Sequence, residues 1–219
     1  MKQYNILDYG AIADGVTNNA AAIQQAIDEA SAKGGCVVIP QGRYLSGTLI
    51  LKSNIDFHLE KGAVLVSSLN EEDILDFARL FDDDNACTGW DGGCFLFACH
   101  EENITISGEG VIYGQGDKVF IDDDVDGGAH ECPLSVTAFR PRTTFLEDVT
   151  NLTVRDITIQ DAAFWTLHMA GCHHVRVQDI KILNDVRGAN NDGIDPDCCK
   201  DVLITGCLVK TGDDAIVIK

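Results

Sequence analysis

Asn151-Leu152-Thr153-Val154-Arg155-Asp156-Ile157-Thr158-Ile159, His174-Val175-Arg176-Val177-Gln178-Asp179-Ile180-Lys181-Ile182 and Asp201-Val202-Leu203-Ile204-Thr205-Gly206-Cys207-Leu208-Val209 can be laid over one another place by place. In each, apolar residues hold the second, fourth, seventh and ninth places. Alternation by two marks a strand with one buried face, so each stretch reads as two short strands joined by a turn. The copies start 23 and 27 residues apart, and an earlier copy opens at Asn103, 48 residues before Asn151. A weaker one opens at Asn54. A period of about 20–30 residues marks a solenoid. A leucine-rich solenoid would need Leu at fixed places and an asparagine ladder, whereas Ile and Val dominate here. The fold expected is all-β: one right-handed parallel β-helix over residues 1–219, its coils stacked at ~4.8 Å.

Such a column needs its ends covered, because an open edge pairs with other chains. Residues 17–35 supply the cover. Ala22, Ile23, Ala26, Ile27 and Ala30 form a helical stripe, Thr17, Asn18 and Asn19 offer caps, and Gly34-Gly35 ends it. An N-terminal capping α-helix is expected over about residues 18–33.

Composition narrows the function. Lys and Arg number 16 against 35 Asp and Glu, a net charge of −19. That field repels phosphate, so neither nucleic acid nor an anionic membrane is expected as partner. No apolar run approaches the ~18 residues of a membrane span. The chain opens Met1-Lys2-Gln3-Tyr4-Asn5 with no basic start and apolar stretch, so no signal peptide is expected in it. Nine cysteines, an odd number with several in strand-like runs, read as reduced core thiols of a cytoplasmic protein. Cys198-Cys199 is half of a metal pattern at most; with no CxxC pair anywhere, no metal or cofactor is expected. Two acidic stretches, 69–93 and 117–131, interrupt the repeat and read as solvated loops, with Trp90 and Phe120 the aromatic residues in them offered to a sugar ring.

The chemistry gathers at the end of the chain. Asp192-Gly193-Ile194-Asp195 aligns with Asp214-Ala215-Ile216-Val217 at an offset of 22, about one coil. Asp192 and Asp214 should then stack, with Asp213 beside them. Like charges this close cannot all ionise, so one carboxyl should keep a proton. A neutral acid beside carboxylates is what glycoside hydrolysis requires. The plainer alternative is a set of acidic turn residues, since Asp and Asn are common in turns.

These residues carry a resemblance. Asn190-Asn191-Asp192-Gly193-Ile194-Asp195 resembles the Asn-Thr-Asp-Gly-hydrophobic-Asp motif of the polygalacturonase family, glycoside hydrolase family 28, and Gly212-Asp213-Asp214 resembles its second motif. Phe164-Trp165-Thr166-Leu167-His168, preceded by Arg140-Pro141-Arg142, resembles the run before them in bacterial members. Asp8-Tyr9-Gly10-Ala11-Ile12-Ala13-Asp14-Gly15-Val16-Thr17 resembles the start of many pectin-acting β-helix proteins. The resemblance implies an inverting hydrolase of α-1,4-linked galacturonate, with Asp213 as general acid and Asp192 and Asp214 activating water. Acid and base carboxyls would stand ~6.5–9.5 Å apart. Asn190, Trp165 and His168 are the candidate substrate-binding residues, and pectic polysaccharide or its oligomers the expected partner.

Three features depart from the family pattern. Asn191 stands where Thr is usual. Gly212 before the acid pair resembles members that trim chain ends, which suggests exo action. The Gly-His-Gly and Arg-Ile-Lys motifs of the family do not occur before Lys219, so the chain is expected to be the N-terminal portion of a longer enzyme. Two other readings compete: a β-helix polysaccharide lyase, using Ca²⁺ and a basic residue, and a non-catalytic carbohydrate-binding solenoid.

Overall fold

The computed structural model of the chain describes residues 1–75, 93–123 and 134–219. The acidic stretches fall partly outside these residues, as do Trp90, Cys87 and Cys132.

Three parallel sheets run the length of the chain. Sheet I stacks Lys2–Asn5, Gly35–Ile39, Ile55–Leu59, Glu102–Gly108, Thr150–Arg155, His173–Gln178 and Lys200–Thr205. Sheet II stacks Asp14–Asn18, Gly42–Ser46, Ala63–Ser67, Val111–Tyr113, Thr158–Gln160, Lys181–Leu183 and Leu208–Lys210. Sheet III stacks Leu49–Ile50, Cys94–Cys99, Arg142–Glu147, Leu167–Ala170 and Ile194–Asp197. The chain visits I, II and III in turn and climbs one strand per circuit, a right-handed parallel β-helix. Each coil thus has three strands, one more than the repeat indicated. Phe120–Ile121 and Ser135–Val136 form a small antiparallel pair outside the three sheets.

The repeat aligns the core as expected. Leu152 pairs in register with Val175, and Val175 with Val202. Leu152, Val154, Val175 and Val177 are buried. Val202 and Ile204 pack on the same core but are only partly buried, because their strand is the last of its sheet. The copies begin at Asn54, Asn103, Asn151, His174 and Asp201 for a backbone reason: all five have φ between 55° and 63°, the left-handed turn into sheet I. Asn and Asp tolerate that conformation better than most side chains. Asn103 Nδ2 donates to Asn54 Oδ1 at 2.9 Å and Asn151 Nδ2 to Asn103 Oδ1 at 3.0 Å. An asparagine ladder is therefore present, so it is the Ile and Val at the apolar places that separate this chain from a leucine-rich solenoid.

The helix, α1 (Ala20–Lys33), takes the place of sheet III in the first coil. Ile23, Ala26, Ile27 and Ala30 are fully buried, while Ala22 is half-buried. Its start differs from expectation. Thr17 and Asn18 belong to a strand, yet Asn18 Oδ1 accepts from the first helical N–H, of Ala20, at 3.0 Å, while the Asn19 side chain donates to the Ile12, Thr17 and Leu45 carbonyls. No helix among the described residues is long and apolar enough to cross a membrane.

Seven cysteines lie among the described residues, all free. Cys172 is buried as expected, but Cys207 is only half-buried. Phe120 is buried beside Val119 and Ala163, so it is a packing residue and not a platform for a sugar.

Candidate active site

Side chains of sheet III alternate between the core and its opposite face. On that opposite face, register aligns Ile50, Phe97, Phe145, His168 and Asp195 in one row. The next coil adds to the end of the row: Ile194 bridges Ile216 in parallel, and Gly193 N–H donates to Asp214 O at 2.8 Å. The offset of 22 read from the sequence is thus the pairing offset of two coils. Gly193 is required here, since a Cβ would stand 2.4 Å from Ala215 O. Gly212 is required likewise, its Cβ falling 2.5 Å from Gly188 O.

Asp192, Asp213 and Asp214 converge: one carboxylate oxygen of each lies within 4.8 Å of the other two. Asp192 is buried, Asp213 and Asp214 exposed. These nearest oxygens are closer than the ~6.5–9.5 Å carboxyl separation typical of inverting glycosidases. The same spacing would admit a cation, but the counter-charge present is Lys219, whose Nζ is 3.3 Å from Asp192 Oδ2.

The turns hold this cluster. Asp213 accepts from Asn190 N–H at 3.2 Å and from Asp214 N–H at 3.0 Å. Asn190, expected to bind substrate, in turn accepts from Arg140 at 3.0 Å and through its own N–H orients the Asp213 carboxyl. Asn191, the departure from Thr, staples the two coils. It is fully buried, accepts from Gly212 N–H at 2.8 Å and Thr211 Oγ1 at 3.1 Å, and donates to Asp185 O at 2.9 Å.

Trp165 is half-buried at the edge of the cluster, stacked on Phe164 at 5.6 Å and flanked by the Arg142 guanidinium at 5.1 Å. His168 lies beneath it, edge-on at 4.8 Å, against Phe145 at 4.7 Å. It is fully buried, with Nε2 3.6 Å from Asp197. Burial and the charge of Arg142 push its imidazole down to about 4, so it is a neutral support for Trp165 with no surface of its own for substrate.

Two residues complete the centre that the sequence reading had not assigned to it. Asp195 is fully buried and its carboxyl is pushed up to about 7, by burial first and then by Asp192. Burial also raises Asp192, against the pull of Lys219. Lys219 reaches Asp195 at 3.6 Å and lies 4.1 Å from the Trp165 ring centroid. Asp195 stands inside the quoted motif, three residues after Asp192. Lys219 ends the Ile216-Val217-Ile218 run, and only the pairing of the coils brings it back over Asp192.

The sequence profile of glycosyl hydrolases family 28 matches residues 38–219. The chain belongs to glycosyl hydrolases family 28. A probable polygalacturonase of Vitis vinifera is 29% identical over 98% of this chain and 44% of its own. Among solved structures, the family 28 exopolygalacturonase of Yersinia enterocolitica superposes with a TM-score of 0.80 at 26% identity, over 99% of this chain and 44% of that one. The exopolygalacturonase of Thermotoga maritima gives 0.79 at 25%, over 100% and 54%. The chain therefore spans about half the length of these relatives.

Proposed function

We propose that this family 28 chain carries the catalytic acids of a pectin-degrading glycoside hydrolase acting on α-1,4-linked galacturonate. The convergence of Asp192, Asp213 and Asp214 from two successive coils carries the reading. Asp213 is the general acid: it is exposed, and two backbone N–H groups fix its carboxyl. Asp192 and Asp214 hold and deprotonate the attacking water, which gives inversion. Trp165 forms a wall of the sugar site. The names of the Yersinia and Thermotoga relatives support exo action, as does Gly212 before the acid pair.

A lyase needs a neutral base beside the substrate. Burial disfavours the charge of Lys219, but Asp195 and Asp192 outweigh it and raise the ammonium above its ordinary value, so it is a poor proton acceptor. The test is incubation of the full-length protein with polygalacturonate. New reducing ends without unsaturated-uronate absorbance are expected, with monomer appearing first and the opposite anomer seen in early proton NMR. Unsaturated products would establish a lyase, and binding without turnover a non-catalytic solenoid. The cytoplasmic setting is a proposal of the same kind. Thiol titration of the denatured, unreduced chain should find close to nine free groups, and two or more disulfides would overturn it.

A further inference from the structure

We infer that Lys219 is a positioning residue of the catalytic centre: its ammonium holds Asp192 charged and in place for the water that Asp192 and Asp214 share. The inference rests on the hydrolase reading and adds a residue to it.

Three contacts fix the ammonium. It stands 3.3 Å from Asp192 Oδ2, 3.6 Å from Asp195 Oδ1 and 4.1 Å from the centre of the Trp165 ring. Its side chain is only 26% exposed, and those of its acidic partners are 5% and 0% exposed. An aromatic face on one side and the carboxyl groups of Asp192 and Asp195 on the other leave a long flexible side chain little freedom.

The surroundings explain why Asp192 needs it. Asp192 faces Asp195 from its own strand segment and Asp213 and Asp214 from the next coil. The preceding coil brings the neutral His168, in register with Asp195 and beside Asp197 and Arg142. The Asp192 Oδ1 atom and both oxygens of Asp195 are buried without a hydrogen bond. Burial together with neighbouring carboxylates drives an acid to keep its proton. A protonated Asp192 cannot accept one from water, so a cation in contact with it preserves the base. A buried ion pair contributes little to stability as a rule. Function is therefore the better account of this one.

The test is the pH dependence of kcat/KM on polygalacturonate for the full-length protein, its Lys219→Met variant and its Lys219→Arg variant. In the Met variant the acid limb should move up by about one pH unit or more, with a loss of about tenfold near pH 5 that narrows toward pH 7. The Arg variant should keep the wild-type limb. An unmoved limb in the Met variant overturns the inference, as does a rise in KM alone, which would make Lys219 a substrate ligand. Lys219→Gln replaces the Met variant if that does not fold. Should the wild type show no hydrolysis, the hydrolase reading fails by itself. Carbon-13 titration of the Asp192 carboxyl in wild type and variant then decides the Lys219 question. An upward move of its midpoint in the variant supports the inference, and an unchanged midpoint ends it.

Discussion

At Asp195 and His168, neighbours in one register row, burial acts on two groups of opposite charge. Asp195 is raised to about 7, so the folded protein holds a proton there that the unfolded chain releases above its ordinary value of 3.8. Its contribution is intact below that value and is lost as pH climbs to about 7. His168 is lowered to about 4, so its contribution is intact above 6.5 and is lost as pH falls toward about 4. The two slopes oppose each other across the same window. Asp195→Asn should remove one of them. Its stability relative to wild type, from urea midpoints, should improve by a few kcal/mol (~1.4 per pH unit) between about pH 4 and 7. An unchanged difference would mean that Asp195 does not hold that proton. At the same scale, Asp213→Asn keeps the shape and removes the proposed proton donor. Turnover on galacturonate oligomers should fall by roughly 10²–10⁴-fold with binding nearly kept. A variant retaining more than about a tenth of the rate would remove Asp213 from the role of acid.

Among the elements, sheets I and II were legible and sheet III was not. In every coil after the first, the sheet I and sheet II strands are separated by two or three residues, as Thr150–Arg155 and Thr158–Gln160 are, so their alternation repeats in sequence. Sheet III is reached through residues 161–166 in one coil, 184–193 in another and 114–141 in a third. Its strands therefore share register in space without sharing spacing along the chain. The acid cluster was still visible, because Asp192 and Asp214 are tied to the fixed backbone offset of two coils. The place of Lys219 was not, because it depends on a side chain folding back across that offset. The helix stripe is legible, but the helix starts at Ala20 and not at 18, since Asn18 belongs to a strand and Asn19 bonds to the incoming loop. The asparagine ladder offers a test at this scale. Asn103→Ala loses the ladder bonds and strains a φ of 56°, whereas Asn103→Gly loses the bonds alone. Denaturant unfolding should show Ala costing about 1–2 kcal/mol more than Gly. Equal costs would place the ladder's value in hydrogen bonding only.

For the whole molecule, stability runs along one axis, since each coil touches only its neighbours. The strands Ile194–Asp197, Lys200–Thr205 and Leu208–Lys210 are terminal in their sheets, and Ile216 and Ile218 are exposed. Amide exchange of the 219-residue chain should thus be fastest there and slowest in the central strands Glu102–Gly108 and Thr150–Arg155. Uniform protection would contradict a coil-by-coil order. The net charge of −19 acts at this scale too. The polyanionic substrate proposed above would be repelled by it, so kcat/KM on polygalacturonate should rise with salt up to about 0.1–0.2 M, where screening reaches ~10 Å or less. A steady fall with salt would show that local cations govern capture instead.

The three-strand coil has a consequence for descent. The acids of the centre are spaced by backbone pairing between adjacent coils, while the segments leading into sheet III differ in length from coil to coil without disturbing that pairing. Lineages of such proteins can therefore gain or lose whole stretches beside sheet III while inheriting Asp192, Asp213 and Asp214 at an unaltered distance.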